Sequence, residues 1–177
     1  MPILMVHVNI EFKAKCSNPE HIRKILKSRN AEFKGTDHQI DSYFKVHSGR
    51  LKLREGNIET ALIYYERKDK DGPKQSNVTL FHPDPYKVAP LKEILSRILG
   101  IKVIVDKKRE IYFIENVKFH IDSVKGLGSF MEVEAIDIDG TIGTQKLQHQ
   151  CQYYLDLFKI SENDLVPQSY SDLLSKS

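Results

Sequence analysis

Charged side chains alternate with apolar ones in several segments of the chain, and these charged side chains are the ones that could do chemistry. In segment 7–15, Glu11 and Lys13 fall on one face while Ile10 and Phe12 fall on the other, as in a β-strand with a period of two. Similar charged segments recur at residues 50–54, 107–109 and 131–135. Carboxylates bind hard divalent cations, and Lys and Arg bind phosphate oxygens. The pattern therefore predicts a site for a polyanion and its metal ion.

A simpler interpretation exists for each segment taken alone. Glu11 and Lys13 also fit a ladder of salt bridges on a solvated strand face, and the glutamates at 132 and 134 fit the same interpretation. Repetition over several strands favours one shared charged cavity instead. The seven histidines show no convergent spacing, so His7, His120 and the others are predicted to be polar-face or surface residues and not metal ligands.

Composition bounds the class of protein. The 177 residues are 40% hydrophobic, enough for one sizeable core, so we predict a single domain over residues 1–177. The net charge of +3 is too small to favour a nucleic-acid partner. Cys16 and Cys151 lack metal-ligand spacing and form no disulfide framework, which fits a reducing cytoplasm. No segment approaches the ~20 apolar residues of a membrane span, so no membrane partner is expected.

Local patterns predict the elements that must position the charged residues. Ser17 or Asn18 can cap a first helix, and Gly100 can end the second. Helices are predicted at residues 18–29, 91–99 and 144–158, and a final helical turn or two at residues 169–174. Strands are predicted at residues 7–15, 41–46, 49–54, 60–67, 77–81, 102–106, 110–114, 117–122 and 130–136, with a polar loop at 69–76.

This order of elements predicts an α+β fold in two similar halves. About eight strands, many with one charged and one apolar face, suit an antiparallel eight-stranded β-barrel or a strongly curved sheet. The charged faces would then point inward, where water, metal and ligand solvate them, because isolated buried ions are costly. The outward apolar faces would be covered by the three helices packed outside.

Several segments together carry a family resemblance that covers nearly the whole chain in order. They are residues 9–13, 51–54, 107–109, 119–122, 126–134 and 169–170. In these segments the chain resembles the CYTH superfamily of triphosphate tunnel metalloenzymes, and within it the class IV adenylyl cyclase-like branch. The resemblance implies an eight-stranded tunnel that binds a triphosphate together with Mg²⁺ or Mn²⁺. It also implies a homodimer as one assembly.

The resemblance assigns roles to individual residues of this chain. It implies phosphate binding by Lys13, Lys52, Arg54, Lys107 and Arg109. It implies metal binding by Glu11, Glu132 and Glu134, with Asp122 nearby. Asp122 alternatively caps the turn toward Gly126. Relatives also place a tunnel lysine near Glu66. In this chain either that charge is replaced or a bulge brings Arg67 to its position. We predict Arg67 as the further phosphate-binding residue.

Two positions bear on the chemistry. Asn9 stands where the family has a first glutamate, which predicts weaker metal binding. Tyr43 matches a tyrosine that hydrolytic relatives pair with the lysine at the position of Lys13, and such a pair would let Lys13 activate water. A tyrosine of the core or rim is the alternative.

Three functions remain open at this point. The first is a cyclase that converts ATP to cyclic AMP and pyrophosphate, toward which the overall resemblance leans. The second is a triphosphatase acting on tripolyphosphate, thiamine triphosphate or a nucleotide. The third is a non-catalytic module that binds polyphosphate or nucleotides, with Asn9 reflecting lost metal chemistry.

Overall fold

Eight antiparallel strands close into a barrel in the computed structural model, which describes residues 5–68 and 72–176. The order around the barrel is β1-β5-β4-β3-β2-β6-β7-β8. The strands are β1 (Met5–Lys15), β2 (Glu32–Phe44), β3 (Arg50–Gly56), β4 (Ala61–Arg67), β5 (Lys74–Phe81), β6 (Ile101–Ile114), β7 (Val117–Val124) and β8 (Gly128–Asp137). The predicted α+β barrel with helices outside is thus confirmed.

In the described residues, four α-helices and two short 3-10 helices lie between the strands or follow the last one. The α-helices are α1 (Pro19–Ser28), α2 (Val88–Leu99), α3 (Thr144–Leu157) and α4 (Tyr170–Leu174), and the 3-10 helices are Pro85–Lys87 and Glu162–Asp164. As predicted, Asn18 caps α1, its side chain accepting from the His21 amide, and Gly100 ends α2 with φ +73°. None of the described helices is long and apolar enough to cross a membrane.

The main core lies outside the barrel, between the sheet and two helices. Phe12 of β1 and Phe119 of β7 pack in one buried cluster with Leu26 of α1 and Leu147 of α3. These strand residues alternate with the charged ones, so in β1, β7 and β8 the apolar face points out and the charged face points in. This is the arrangement that the alternating pattern predicted.

Helix α2 departs from the prediction that the helices cover the apolar outer faces. None of its side chains is buried, and Ile94 and Ile98 are 54% and 74% exposed. Sequence periodicity indicates that a helix has an apolar face, but it does not indicate what that face contacts. The covering of the barrel therefore falls to the helices on the β1–β7–β8 side.

Three strand boundaries also differ from the prediction. Strand β2 begins at Glu32 rather than at Asp41, and its first half pairs only with β6, so that half tolerates polar side chains. Strand β6 runs unbroken from Ile101 to Ile114, although its charged middle suggested two strands. Strand β5 begins at Lys74, inside the predicted polar loop, of which residues 69–71 lie outside the described residues.

The chain after α3 returns to one end of the barrel. Leu165 forms a β-bridge with Ala14, and the Val166 amide donates to the Lys13 carbonyl over 2.9 Å. Tyr170, the first residue of α4, then packs in a buried cluster with Tyr43 and Phe130. This segment brings main-chain carbonyls and one tyrosine to the charged interior.

Candidate functional site

A cavity of about 410 Å³ lies inside the barrel, and all eight strands contribute side chains to it. Its charged lining comprises the cations Lys13, Lys52, Arg54, Arg67, Lys107, Arg109 and Lys118 and the acids Glu11, Glu59, Glu132 and Glu134. Its formal charge is therefore positive, with the histidines neutral. A cavity of this size and charge can hold a small polyanion.

The carboxylate of Asp41 holds three of the predicted phosphate-binding residues together. Arg54 donates to both of its oxygens over 2.9 and 3.0 Å, Lys107 over 2.7 Å and Lys52 over 3.0 Å. Burial opposes the charge of Asp41, but the three cations outweigh burial and hold its pKa well below the usual range. Burial conversely lowers the pKa of Lys107 to about 7. Sequence reasoning did not single out Asp41 as a site residue.

Arg109 is held by a second carboxylate, that of Asp122. The guanidinium donates to both Asp122 oxygens over 2.7 and 2.5 Å, and the Tyr170 hydroxyl donates to one of them over 2.7 Å. Asp122 is 1% exposed and both of its oxygens accept hydrogen bonds from Arg109, so the structure favours a role in positioning Arg109 over the metal-binding role that the resemblance implied. Held in this way, the Arg109 guanidinium also donates to a Glu132 oxygen over 2.7 Å.

Lys13 and Tyr43 do not form the pair that the resemblance to hydrolytic relatives implied. Lys13 Nζ lies 3.4 Å from Glu132, donates to the Gln168 carbonyl over 3.0 Å and stands 4.1 Å above the Tyr170 ring. The Tyr43 hydroxyl instead accepts from Lys52 over 3.3 Å, because the two residues lie opposite each other on β2 and β3. Tyr43 is 4% exposed, as the alternative of a core tyrosine anticipated.

Arg67 reaches the cavity without a bulge. The pairing of β4 with β3 and β5 is regular, so Arg67 points inward and Glu66 outward. Arg67 forms an ion pair with Glu11. Lys74, which the sequence placed in a loop, is 2% exposed and donates to the Pro167 carbonyl over 2.7 Å.

Three groups of the lining offer metal ligands close together. One ligand atom each from His120, Glu132 and Glu134 lies within 4.8 Å of the others. Burial raises the pKa of Glu134, and Glu11 and Glu132 add to the effect, whereas Arg109 and Lys13 outweigh burial and hold the pKa of Glu132 well below its usual range. Burial, with Arg109, lowers the pKa of His120 to about 3. His120 lies on the polar inner face of β7, as predicted, but nothing in the sequence indicated that it stands beside two glutamates.

Other functional candidates that sequence reasoning missed are Glu59 and Lys118. Glu59, in the β3–β4 connection, accepts from Arg54 over 3.1 Å and pairs with Lys118 of β7. These two residues are 59 positions apart, and although Lys118 alternates with apolar residues in segment 117–122, Glu59 lies between two strands. A glutamate in a turn carries no signal that it closes one end of a charged cavity.

One wall of the cavity is apolar. Ala61, Ile63, Val78 and Leu80 point inward from β4 and β5 and form a small cluster with Tyr65. Their strands thus place apolar side chains where the other strands place charge. The cavity therefore offers two surfaces, one for a polyanion and one for an apolar group.

The matched family decides the identity of this charged barrel. The model of the CYTH domain matches residues 7–170, which is nearly all of the chain. The chain belongs to the CYTH family. Its barrel is accordingly a triphosphate tunnel of the CYTH fold, and the predicted family is confirmed.

Two similar proteins match nearly the whole chain. This CYTH chain is 26% identical over 176 residues to a protein named putative adenylate cyclase of Methanocaldococcus jannaschii, covering 94% of this chain and 98% of that one. The solved structure of the PH1012 protein of Pyrococcus horikoshii is 26% identical, with a TM-score of 0.76 over 93% of this chain and 98% of that one.

A more distant structure shares the fold alone. It comes from Hippeastrum, is 14% identical, has a TM-score of 0.60 and covers 95% of this chain and 93% of that one. It is described as a putative adenylyl cyclase with a dominant triphosphatase activity. A cyclase name on a barrel of this kind therefore does not by itself fix the reaction.

Proposed function

We propose that this CYTH protein is a divalent-cation-dependent enzyme that acts on a nucleoside triphosphate, converting ATP to cyclic AMP and pyrophosphate. The observation that carries the proposal is the two-surface cavity, with cations on one side and Ala61, Ile63, Val78 and Leu80 on the other. An inorganic triphosphate has no apolar part that such a wall could contact, whereas a nucleoside does.

The phosphate-binding residues in this proposal are those of the charged wall. They are Lys13, Lys52, Arg54, Arg67, Lys107 and Arg109. A triphosphate carries about four negative charges, and cations that converge from several strands can bind it from several directions. Their carboxylate partners hold them in place before the substrate binds, so little side-chain ordering remains at that step.

The divalent cation, Mg²⁺ or Mn²⁺, is proposed to lie among Glu11, Glu132 and Glu134. Carboxylate oxygens are the ligands such ions prefer. Burial raises the pKa of Glu134, and the nearby Glu11 and Glu132 add to the effect, so a cation placed among these acids would favour their charged forms. When bound, the ion supplies positive charge to the reacting phosphate oxygens. Asn9, on the same strand face, offers a neutral oxygen.

Lys13 is the proposed catalytic residue. Burial lowers the pKa of its amine, which brings it closer to the range where it can accept the proton of the attacking 3′-hydroxyl. The hydroxyl oxygen then bonds to the α-phosphorus while the bond from that phosphorus to the pyrophosphate oxygen breaks. Tyr43, which the resemblance implied as a second catalytic residue, has a positioning role in this proposal, because its hydroxyl accepts a hydrogen bond from Lys52.

A triphosphatase is the second candidate, favoured by the activity described for the Hippeastrum protein of this fold. There a water would attack the terminal phosphorus and orthophosphate would leave. The same cations and acids would serve this reaction, so only the products distinguish it from the cyclase.

The test incubates the purified protein with ATP, tripolyphosphate or thiamine triphosphate, with Mg²⁺ or Mn²⁺, and resolves the products by chromatography. Cyclic AMP with pyrophosphate supports the cyclase. Orthophosphate without cyclic nucleotide makes the protein a triphosphatase, and turnover of none of the three contradicts an enzyme and favours a binding module. Glu132→Gln should abolish turnover, whereas Glu66→Gln, on the outside of β4, should retain it.

The apolar wall has its own pair of variants. Ile63→Thr places a hydroxyl inside the cavity, and we expect it to raise KM for ATP several-fold because apolar contact with the nucleoside is lost. Leu62→Thr, on the opposite face of the same strand, should leave KM unchanged. Fastest turnover of tripolyphosphate, unaffected by Ile63→Thr, would contradict a nucleoside substrate.

A further inference from the structure

His120 stands where an imidazole nitrogen can join the two glutamates of the proposed cation site. It lies opposite Glu132 in the β7–β8 pairing, and its Nδ1 is 3.4 Å from a Glu132 oxygen and 3.6 Å from a Glu134 oxygen. Both distances exceed the ~2.8 Å of a charge-assisted hydrogen bond. Ligand atoms around an octahedral ion at ~2.1 Å lie about 3 to 4 Å apart, which is the spacing found here.

Two side chains of the same cavity lining carry buried polar atoms without protein partners among the described residues. His120 is 1% exposed, and its Nε2 has no hydrogen-bond partner. Asn9 is 4% exposed and lines the same cavity, and its Oδ1 also has none. Each such atom costs about 1–3 kcal/mol when it stays unsatisfied. An ion with its bound water, placed among these residues, would give both atoms polar neighbours.

We propose that His120 donates an imidazole nitrogen to the divalent cation held by Glu132 and Glu134, and that this nitrogen makes the site prefer Mn²⁺ over Mg²⁺. The inference rests on the cation of the proposed function. Mg²⁺ favours an all-oxygen shell, whereas imidazole suits first-row transition ions. A site of two carboxylates and one imidazole therefore discriminates between the two ions by ligand type.

Pulsed electron paramagnetic resonance on the Mn²⁺-loaded protein tests the nitrogen ligand directly. We expect electron spin-echo envelope modulation from a ¹⁴N nucleus, and its replacement by a ¹⁵N pattern when only the histidines are labelled with ¹⁵N. Labelling leaves the protein itself unchanged, so folding does not enter this result. Bound Mn²⁺ without nitrogen modulation, or no Mn²⁺ binding at all, would overturn the inference.

A matched pair of variants assigns the nitrogen to one histidine. His120→Asn keeps a polar side chain but removes the imidazole, and we expect it to lose the modulation and to weaken Mn²⁺ binding at least about tenfold, with little change for Mg²⁺. His7→Asn, in the lining of the same cavity, should keep both properties. Equal losses for Mn²⁺ and Mg²⁺ in His120→Asn would contradict the proposed selectivity, and circular dichroism checks that each variant folds.

The two proposals fail separately. Turnover of a triphosphate with Mn²⁺ bound but without nitrogen modulation would contradict only the role of His120. Nitrogen modulation that disappears in His120→Asn, together with no turnover of any triphosphate, would contradict only the enzyme.

Discussion

Asp41 is the carboxylate that neutralises the basic side of the cavity. It is fully buried and pairs with Lys52, Arg54 and Lys107, so Asp41→Asn leaves three cations facing one another. Removing one partner of a buried ion pair costs about 3–5 kcal/mol, and we expect a loss of that size in the free energy of unfolding. Tripolyphosphate without metal should restore more stability to this variant than to the wild type, because it replaces the missing charge. Urea unfolding with and without tripolyphosphate measures both effects.

The control for this prediction lies on the outside of the same barrel. Asp106 pairs with His38 at the surface over 2.8 Å, and its side chain is 37% exposed. Asp106→Asn should change the free energy of unfolding by no more than about 0.5 kcal/mol. Equal losses in the two variants would show that Asp41 does not have the neutralising role described above.

Residue types and alternation predicted which faces carry charge, but not which charges meet. The ten residues predicted to bind phosphate or metal, Lys13, Lys52, Arg54, Arg67, Lys107, Arg109, Glu11, Glu132, Glu134 and Asp122, all lie on inward-facing positions of the strands. Asp41 and Lys107 are 66 positions apart, and their contact depends on the pairing of β2 with β6. Such pairings are set by the closed barrel, which local periodicity does not specify.

At the level of elements, α4 positions the end of the chain against the cavity. Ser169 caps it, its Oγ accepting from the Asp172 amide over 3.2 Å in a capping box, and Asp172 also pairs with Arg50. We expect Ser169→Ala to lower the free energy of unfolding by about 0.5–2 kcal/mol. Hydrogen exchange at the amides of α4 should accelerate, because the helix loses its first hydrogen bond to a side chain.

A serine at the end of another helix provides the comparison. Ser28 Oγ donates to the Ile25 carbonyl at the exposed end of α1 and caps no amide, so Ser28→Ala should change the free energy of unfolding by no more than about 0.5 kcal/mol. Exchange in α4 that is unchanged in Ser169→Ala would contradict the capping role.

Caps and periodicity predicted the helices better than the strands. Asn18 and Gly100 fixed the ends of two helices because each satisfies main-chain groups locally. The first half of β2 carries polar residues and the middle of β6 carries charges, so both looked unlike strands in isolation. Inside the barrel, inward-facing charges form ion pairs with residues of other strands. A short window of sequence does not contain those partners.

For the whole molecule, we propose that residues 1–177 fold as one domain, with cavity carboxylates that link its stability to pH. Burial opposes their charge, but Arg54 and Lys107 hold the pKa of Asp41 well below its usual range, and Arg109 and Lys13 do so for Glu132. Glu134 acts in the opposite sense, because burial and neighbouring acids raise its pKa.

These pKa shifts predict a loss of stability in acid, and a single domain should lose it in one unfolding transition. In the unfolded chain Asp41 and Glu132 regain ordinary values of 3.8 and 4.5, so the unfolded state takes up protons first as the pH falls. The stability they contribute is therefore present above about pH 5 and lost progressively below it, while protonation of Glu134 partly offsets the loss at the upper end. Urea unfolding from pH 7 to pH 3 should show this decline, with a slope that is shallower in Asp41→Asn by up to about 1.4 kcal/mol per pH unit. Glu93→Gln, whose side chain is 62% exposed on α2, should keep the wild-type slope. Parallel acid limbs in wild type and Asp41→Asn would mean that folding does not lower the pKa of Asp41.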